Sequence, residues 1–173
     1  MALPIANVAK YELTLPSQQK TISFRPFLVK EEKILLVALE SGKPEEMLTA
    51  VKEIVKACTF GVVEQDEYPI FDIEYIFLQV RAKSVGEVAK LKVLCPDDKK
   101  SYGNVDVDLT KVEVYVDDTH NNNIVLDESR KLGVVLKYPS LKVIDSGILS
   151  DNIKVSAMYD LIKKSVDHIY EGD

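Results

Sequence analysis

Apolar and polar positions alternate in two short stretches near the N-terminus, and the period then becomes helical. Tyr11, Leu13 and Leu15 alternate with polar residues, a polar turn follows at 16–20, and Ile22 and Phe24 resume the alternation. This pattern is typical of a half-buried β-hairpin. The apolar spacings of three and four that follow predict helices packed on the hairpin.

A first helix is predicted from near Val29 to Ser41, because Gly42 supplies a stop signal. Pro44 then opens a second helix, since proline is favoured in a first helical turn. The apolar stripe of this second helix comprises Met47, Leu48, Val51, Ile54, Val55 and Cys58.

A third helix is predicted near Asp72, a candidate N-cap or first-turn acid, and it ends at Gly86. Its apolar stripe comprises Ile73, Ile76, Phe77 and Val80. The hairpin and the first two helices should share one core. The residues expected to be mostly buried there are Leu13, Ile22, Leu35, Leu39, Leu48, Val51 and Ile54.

After about Glu87 the apolar period changes to two, which predicts strands. The alternating sets are Val93 and Cys95; Val105, Val107 and Leu109; Val112, Val114 and Val116; and Leu132, Val134 and Leu136. Polar turns are predicted at 96–100 and 117–123. An antiparallel sheet of three or four strands, polar on one face, is the natural arrangement.

Two further helical stretches are predicted at the C-terminal end of the sequence. One runs from Leu141 to Leu149, and the other follows the candidate caps Ser150 and Asp151. The second carries Ile153, Met158, Leu161, Ile162, Val166 and Ile169. The predicted fold class is α+β: an N-terminal β-hairpin packed with helices, a small antiparallel sheet and C-terminal helices. The segments are 1–85, 86–138 and 139–173, either as separate units or as one domain.

Composition narrows the classes of function. The 173 residues are 46% hydrophobic, enough for a core, and the net charge of −6 argues against binding nucleic acid through the global field. The longest apolar run, Ile34 to Leu39, is too short to cross a membrane. The N-terminal residues do not have the pattern of a secretory signal, and two cysteines are too few for a disulfide framework. A cytoplasmic protein is expected.

The sequence contains weak candidates for metal binding. Cys95-Pro96-Asp97-Asp98 has the appearance of half a zinc knuckle, but a structural zinc requires four ligands. Cys58 lies on a helical stripe, where a buried thiol is expected. We therefore expect the segment after Cys95 to be a turn, with neither a metal site nor a disulfide.

Carboxylates offer the alternative function, a metal-dependent hydrolase that uses Asp106, Asp108, Asp117 and Asp118. Asp106 and Asp108 share one face of a predicted strand, as calcium ligands or paired acids would. Solvated acids on a polar face are the simpler interpretation. His120 and His168 lack companions for nucleophilic catalysis, and His168 is predicted to lie exposed on a helix.

The junction Phe24-Arg25-Pro26-Phe27-Leu28 has two interpretations. In the first, both phenylalanines complete the small core. In the second, they form a docking surface for a partner. Pro26 cannot donate to a strand ladder, so the strand ends at an edge or a bend.

Three pieces of sequence carry a family resemblance. They are LPIANVAKYELTLPSQQKTISFRPFLVKEEKILLVALESG, FDIEYIFLQVRAKSVGEVAKLKVLCPDD and LGVVLKYPS. In order, and over nearly the whole chain, they resemble the T-even-like phage baseplate hub assembly protein family.

The resemblance implies a small, non-catalytic protein that helps to build the central hub of a contractile tail baseplate. Its partners would be other hub proteins. It would work in the host cytoplasm during assembly, and it would then either stay in the tail baseplate of the virion or leave. It implies no cofactor, no small-molecule substrate and no catalytic residue to carry over. It also implies a further helical and cysteine-bearing C-terminal piece, beyond the residues of this chain.

The apolar stripe of the last predicted helix must be buried somewhere. We hypothesise that this helix docks a C-terminal extension or a neighbouring hub subunit, with self-association as a further outcome.

Overall fold

The computed structural model describes residues 8–64, 67–117, 119–144 and 155–172. Its elements confirm the predicted α+β class. They are β1 Tyr11–Thr14, β2 Thr21–Phe24, α1 Val29–Ser41, α2 Pro44–Cys58, α3 Ile70–Val85, β3 Val88–Leu94, β4 Tyr102–Asp108, a 3-10 turn Leu109–Lys111, β5 Asn123–Asp127, β6 Leu132–Leu136, α4 Leu141–Ile144, α5 Val155–Ser165 and β7 Val166–Glu171.

The N-terminal hairpin forms as predicted. β1 and β2 pair antiparallel, with Tyr11 opposite Phe24 and Leu13 opposite Ile22. The turn closes where the Leu15 N–H donates to the Lys20 carbonyl at 2.9 Å. One face of this two-stranded sheet lies on the helices, which buries Ile22 and Phe24.

The helix ends follow the local signals in the sequence. α1 ends at Ser41 because Gly42 adopts the left-handed conformation, with φ 66°, that caps a helix. α2 begins with Pro44, whose missing N–H costs nothing in a first turn. α3 ends before Gly86. The predicted bounds of the first helix, the predicted start of the second and the predicted end of the third are confirmed.

The main core lies between the hairpin, α2 and α3. The seven predicted core positions divide into three groups. Ile22 and Ile54 are buried, whereas Leu13, Leu35, Leu48 and Val51 are partly buried and pack against the core. Leu39 is 57% exposed, so its predicted burial is wrong. The reason is that α1 has apolar residues on both faces, and Ala38 and Glu31 are the residues that it buries.

A buried ion pair fixes the junction between β2 and α1. Arg25 Nη2 lies 2.9 Å from Glu31 Oε1, and Glu31 Oε2 accepts the Leu28 N–H at 2.9 Å. The Arg25 N–H donates to the Cys58 carbonyl at the end of α2. Three elements therefore meet at Arg25.

A second buried carboxylate anchors the hairpin turn. Asp72 lies in the first turn of α3, as predicted, and is fully buried. Its Oδ1 accepts the Ser17 N–H at 3.1 Å, and its Oδ2 accepts a hydrogen bond from the Ser17 hydroxyl. The positive end of the helix dipole favours an anion at this place.

The β-rich half differs from its prediction. Instead of one sheet of three or four strands, β3 and β4 form a separate hairpin, and β5, β6 and β7 form a second antiparallel sheet in the order β5-β6-β7. Val112, Val114 and Val116 belong to no strand in the described structure. β5 begins at Asn123, inside the segment predicted as a turn, and the strand predicted around Leu132 is confirmed as β6.

The C-terminal residues also differ from their prediction. α5 is a helix, but Val166, His168 and Ile169 lie in strand β7 and not on that helix. Pairing with β6 explains the change, because Val134 has Ile169 opposite it. Ile153, Ser150 and Asp151 lie outside the described residues, as does the part of the predicted 141–149 helix that would follow Ile144.

Candidate functional site

The candidate carboxylates that the structure describes do not come together as a reaction centre. Asp106 is exposed on β4, opposite Lys90 of β3. Asp108 instead caps the 3-10 turn, where it accepts the Thr110 N–H at 3.0 Å. Asp117 accepts the Thr119 N–H at 2.7 Å, and Asp118 lies outside the described residues. Among the described residues, no group of three or more His, Cys, Asp or Glu is placed to hold a metal ion.

A repeated turn motif accounts for two of these acids, Asp108 and Asp117, and recurs at Asp127. Asp108, Asp117 and Asp127 each accept hydrogen bonds from the backbone and hydroxyl of a Ser or Thr two residues later. These hydrogen bonds hold the pKa of each carboxyl below its usual value. The spacing Asp-x-Ser/Thr was visible in the sequence, and it indicates side-chain-closed turns. These three turns were not predicted from that spacing.

The segment after Cys95 is also a turn, which confirms that prediction. Asp98 accepts from Ser101, chiefly through its hydroxyl, and from the Lys100 N–H, which together lower the pKa of Asp98 to about 2. Cys95 and Cys58 are both free thiols. Burial raises the pKa of the Cys58 thiol to about 11, so this group stays protonated and unreactive at neutral pH.

The histidines occupy unrelated places. His120 stacks on Tyr138, with ring centroids 5.7 Å apart, and Tyr138 meets Phe71 of α3 edge-on. His168 lies in β7, where its Nδ1 is 2.9 Å from Asp167 Oδ2. His120 therefore packs as an aromatic ring that ties its loop towards α3.

A cleft of about 1070 Å³ lies between the β1–β2 turn, the entry to α3 and the β5-β6-β7 sheet. Its walls carry charges of both signs. Lys137 Nζ lies 3.9 Å from Asp167 Oδ1, so these two side chains partly neutralise each other. The residues that line the cleft therefore favour neither anionic nor cationic ligands.

The apolar stripe of α5 faces solvent. Val155, Met158, Tyr159 and Ile162 recur at helical spacing on one side, and each is more than half exposed. Ala157 is the residue that α5 buries. A helix usually turns its apolar stripe inward, and contiguous exposed apolar surface marks binding sites. We call these four residues the α5 stripe.

Two other elements expose apolar side chains. On α1, Val29, Leu36, Val37 and Leu39 are all exposed, whereas Ala38 is buried. The β3–β4 hairpin exposes a second group. By contrast, the Phe24–Leu28 junction follows the core interpretation, because Phe24 is buried and Phe27 packs against the core.

The fold and its surfaces define an α+β protein with apolar faces of the kind that bind other proteins. A model of the T4 bacteriophage base plate protein family matches residues 8–173. The chain belongs to this family, which confirms the T4-like baseplate resemblance seen in the sequence. Comparison with curated proteins and with solved structures gives no significant match. Within the described ranges, every helix is too short or too polar to cross a membrane.

Proposed function

We propose that this protein is a structural and assembly component of the hub of a contractile phage tail baseplate. It works through protein–protein contacts, and its partners are other hub proteins. The observation that carries the proposal is the family match over residues 8–173, and the solvent-facing α5 stripe supports it. The protein assembles in the host cytoplasm and becomes associated with the virion tail.

The proposal includes the absence of catalysis. The acids of the alternative function, a metal-dependent hydrolase, have local roles that fit this view: Asp108 and Asp117 close turns, and Asp106 lies opposite Lys90. These local roles favour the binding protein over the hydrolase. The division into segments 1–85, 86–138 and 139–173 stays a prediction.

The α5 stripe is the surface that we assign to a hub protein. Met158 and Ile162 lie one helical turn apart at its centre, and both are more than half exposed. Because each is only about half exposed, burying the rest of these two side chains contributes on the order of 1 kcal/mol each to association. Lys163 follows in the last turn, next to the stripe, and suits a partner with acids at the rim of its binding site.

A pull-down from infected cells tests the proposal. Tagged wild-type protein should capture baseplate hub proteins, identified by mass spectrometry. The variant Met158→Asp with Ile162→Asp should lose this capture, because it places two charges in the apolar contact. A control variant, Ser156→Asp with Lys164→Gln, makes the same change in net charge away from the stripe, since Lys164 lines the cleft, and should retain capture.

Circular dichroism should show that both variants keep the wild-type helix content. Capture of hub proteins by the Met158/Ile162 variant at the wild-type level would show that α5 is not the docking surface. Failure of the wild-type protein to capture any hub protein would contradict the proposed function itself.

A further inference from the structure

The β3–β4 hairpin is packed at its base and exposed along its length. Near the base, Ala89 and Val107 lie opposite each other and pack, with Leu109, against α3. Farther out on the same face, Leu91 and Val93 are each 47% exposed and Val105 is 43% exposed. An isolated two-stranded sheet is marginally stable in water. We therefore expect a further layer or strand to pack against this exposed row of apolar side chains.

The backbone of the hairpin shows which groups are free to pair. The Leu109 N–H donates to the Glu87 carbonyl and the Cys95 N–H donates to the Ser101 carbonyl, both at 2.8 Å. Hydrogen-bonded and non-hydrogen-bonded pairs alternate along an antiparallel ladder. The odd-numbered residues therefore bond within the hairpin, and the even-numbered residues point their N–H and C=O groups outward. In the described structure, neither outer edge of this sheet pairs with another strand.

The two outer edges carry opposite charges. β3 presents Lys90 and Lys92, and β4 presents Asp106 and Asp108, all on the face opposite the apolar row. Pairing β3 with the β3 of another copy brings lysines beside lysines, and pairing β4 with β4 brings aspartates beside aspartates. Like charges in neighbouring strands destabilise a sheet. Pairing β4 of one copy with β3 of the next gives each charge an opposite partner.

We propose that copies of this chain associate head to tail, with the outer edge of β4 in one copy pairing antiparallel with the outer edge of β3 in the next. The register within the hairpin is repeated between copies, so Lys90 again lies opposite Asp106 and Leu91 again lies opposite Val105. The apolar row becomes continuous from copy to copy. Because the two edges differ, the contact is heterologous and generates a ring or an open chain.

This proposal concerns contacts between copies of the chain and does not rest on the assignment of hub partners. Substitutions in the α5 stripe leave it unchanged. The two proposals can therefore fail separately.

Proline at an outward-facing position blocks one edge and leaves the hairpin's own hydrogen bonds intact. Asn104→Pro removes an outward N–H from β4, and Lys92→Pro removes one from β3. In sedimentation velocity experiments, the average molecular mass of the wild-type protein should rise with protein concentration. Each variant alone should remain a monomer, because each keeps a single usable edge. An equimolar mixture of the two should form a dimer and nothing larger.

This pattern separates head-to-tail pairing from every symmetric contact. A symmetric β3 contact leaves Asn104→Pro associating alone, and a symmetric β4 contact leaves Lys92→Pro associating alone. Either result overturns the proposal. So does a wild-type protein that is monomeric at all accessible concentrations, or a mixture that remains monomeric when both variants are folded by circular dichroism.

A charge exchange tests the same contact without proline. In the variant Lys90→Asp with Asp106→Lys, residues 90 and 106 still carry opposite charges. They therefore attract each other within the hairpin and also across a contact between two variant copies. This variant should associate as the wild type does. A contact between variant and wild type places like charges opposite each other, so fluorescence energy transfer between labelled variant and labelled wild type should be weaker than in either homogeneous sample. Energy transfer between variant and wild type that equals the transfer in the homogeneous samples overturns the proposal.

Discussion

Replacing Glu31 by Gln tests the buried ion pair at the start of α1. The Glu31 side chain is 5% exposed and that of Arg25 is 14% exposed, and Glu31 Oε1 lies 2.9 Å from Arg25 Nη2. The second carboxylate oxygen accepts the Leu28 N–H. Glutamine keeps the volume of the side chain but removes its charge and leaves Arg25 without an anionic partner.

The expected cost is about 2–3 kcal/mol in the free energy of unfolding. Removing one partner of a fully buried ion pair costs about 3–5 kcal/mol. Two features reduce this figure here. Arg25 also donates to the Pro26 carbonyl at 2.9 Å and retains some contact with solvent, and the glutamine oxygen can still accept one hydrogen bond.

The ion pair also predicts a pH dependence. Burial is the largest influence on the pKa of Glu31 and raises it, but the hydrogen bonds from Arg25 and Leu28 and the charge of Arg25 together lower it below 4.5. A carboxyl with a lowered pKa in the folded state stabilises the fold above its unfolded pKa. This stabilisation disappears as the pH falls below about 4.5 and through the folded pKa.

Urea denaturation followed by circular dichroism, at neutral pH and through the acid range, measures both effects. Glu31→Gln should be less stable than the wild type at neutral pH, and the difference should shrink on acidification. Glu46→Gln is the control, because Glu46 forms an exposed ion pair with Lys43 at 2.7 Å and should leave the denaturation midpoint unchanged. Equal stability of Glu31→Gln and wild type at neutral pH would refute the reasoning, and so would a difference that does not shrink in acid.

Two further predictions concern packing. Ile54→Ala should lower the free energy of unfolding by about 2–5 kcal/mol because Ile54 is fully buried. Leu39→Ala should change it by no more than about 0.5 kcal/mol because Leu39 is exposed. Equal effects of the two substitutions in urea denaturation would contradict the core described here. Gly133→Ala should lower the melting temperature, since the Tyr170 ring, whose hydroxyl donates to Asn123 at 2.7 Å, fills the space of the added methyl group. Adding Tyr170→Ala should then relieve the clash, and no relief would show that the strain lies elsewhere.

Helix positions were predictable because their signals are local. Gly42 and Pro44 mark the end of one helix and the start of the next within three residues, and the structure has both boundaries at these places. Asp72 was also found from its position in a first turn. Its contact with Ser17 was not, because a hydrogen bond between residues 55 positions apart leaves no local pattern.

Strand positions were less predictable because a strand depends on its partner. Val112, Val114 and Val116 alternate as a strand does, yet the described structure pairs them with nothing. Val166 and Ile169 fit a helical spacing, yet they lie in β7 because β6 offers an edge to pair with. Short apolar stretches fit either period, and tertiary pairing decides between them.

The error at Leu39 has a different cause. A prediction of core residues from an apolar stripe assumes that each stripe faces the interior of its own chain. On α1, Leu39 and Leu36 face solvent while the charged Glu31 is buried, and on α5 Met158 and Ile162 face solvent while Ala157 is buried. A component of a larger assembly has a second set of apolar contacts, made with its neighbours. Under the proposed function the exposed stripes belong to that second set. Partner binding should therefore be sought at Leu39, where the predicted core is wrong, and along α5, whose stripe was expected to dock.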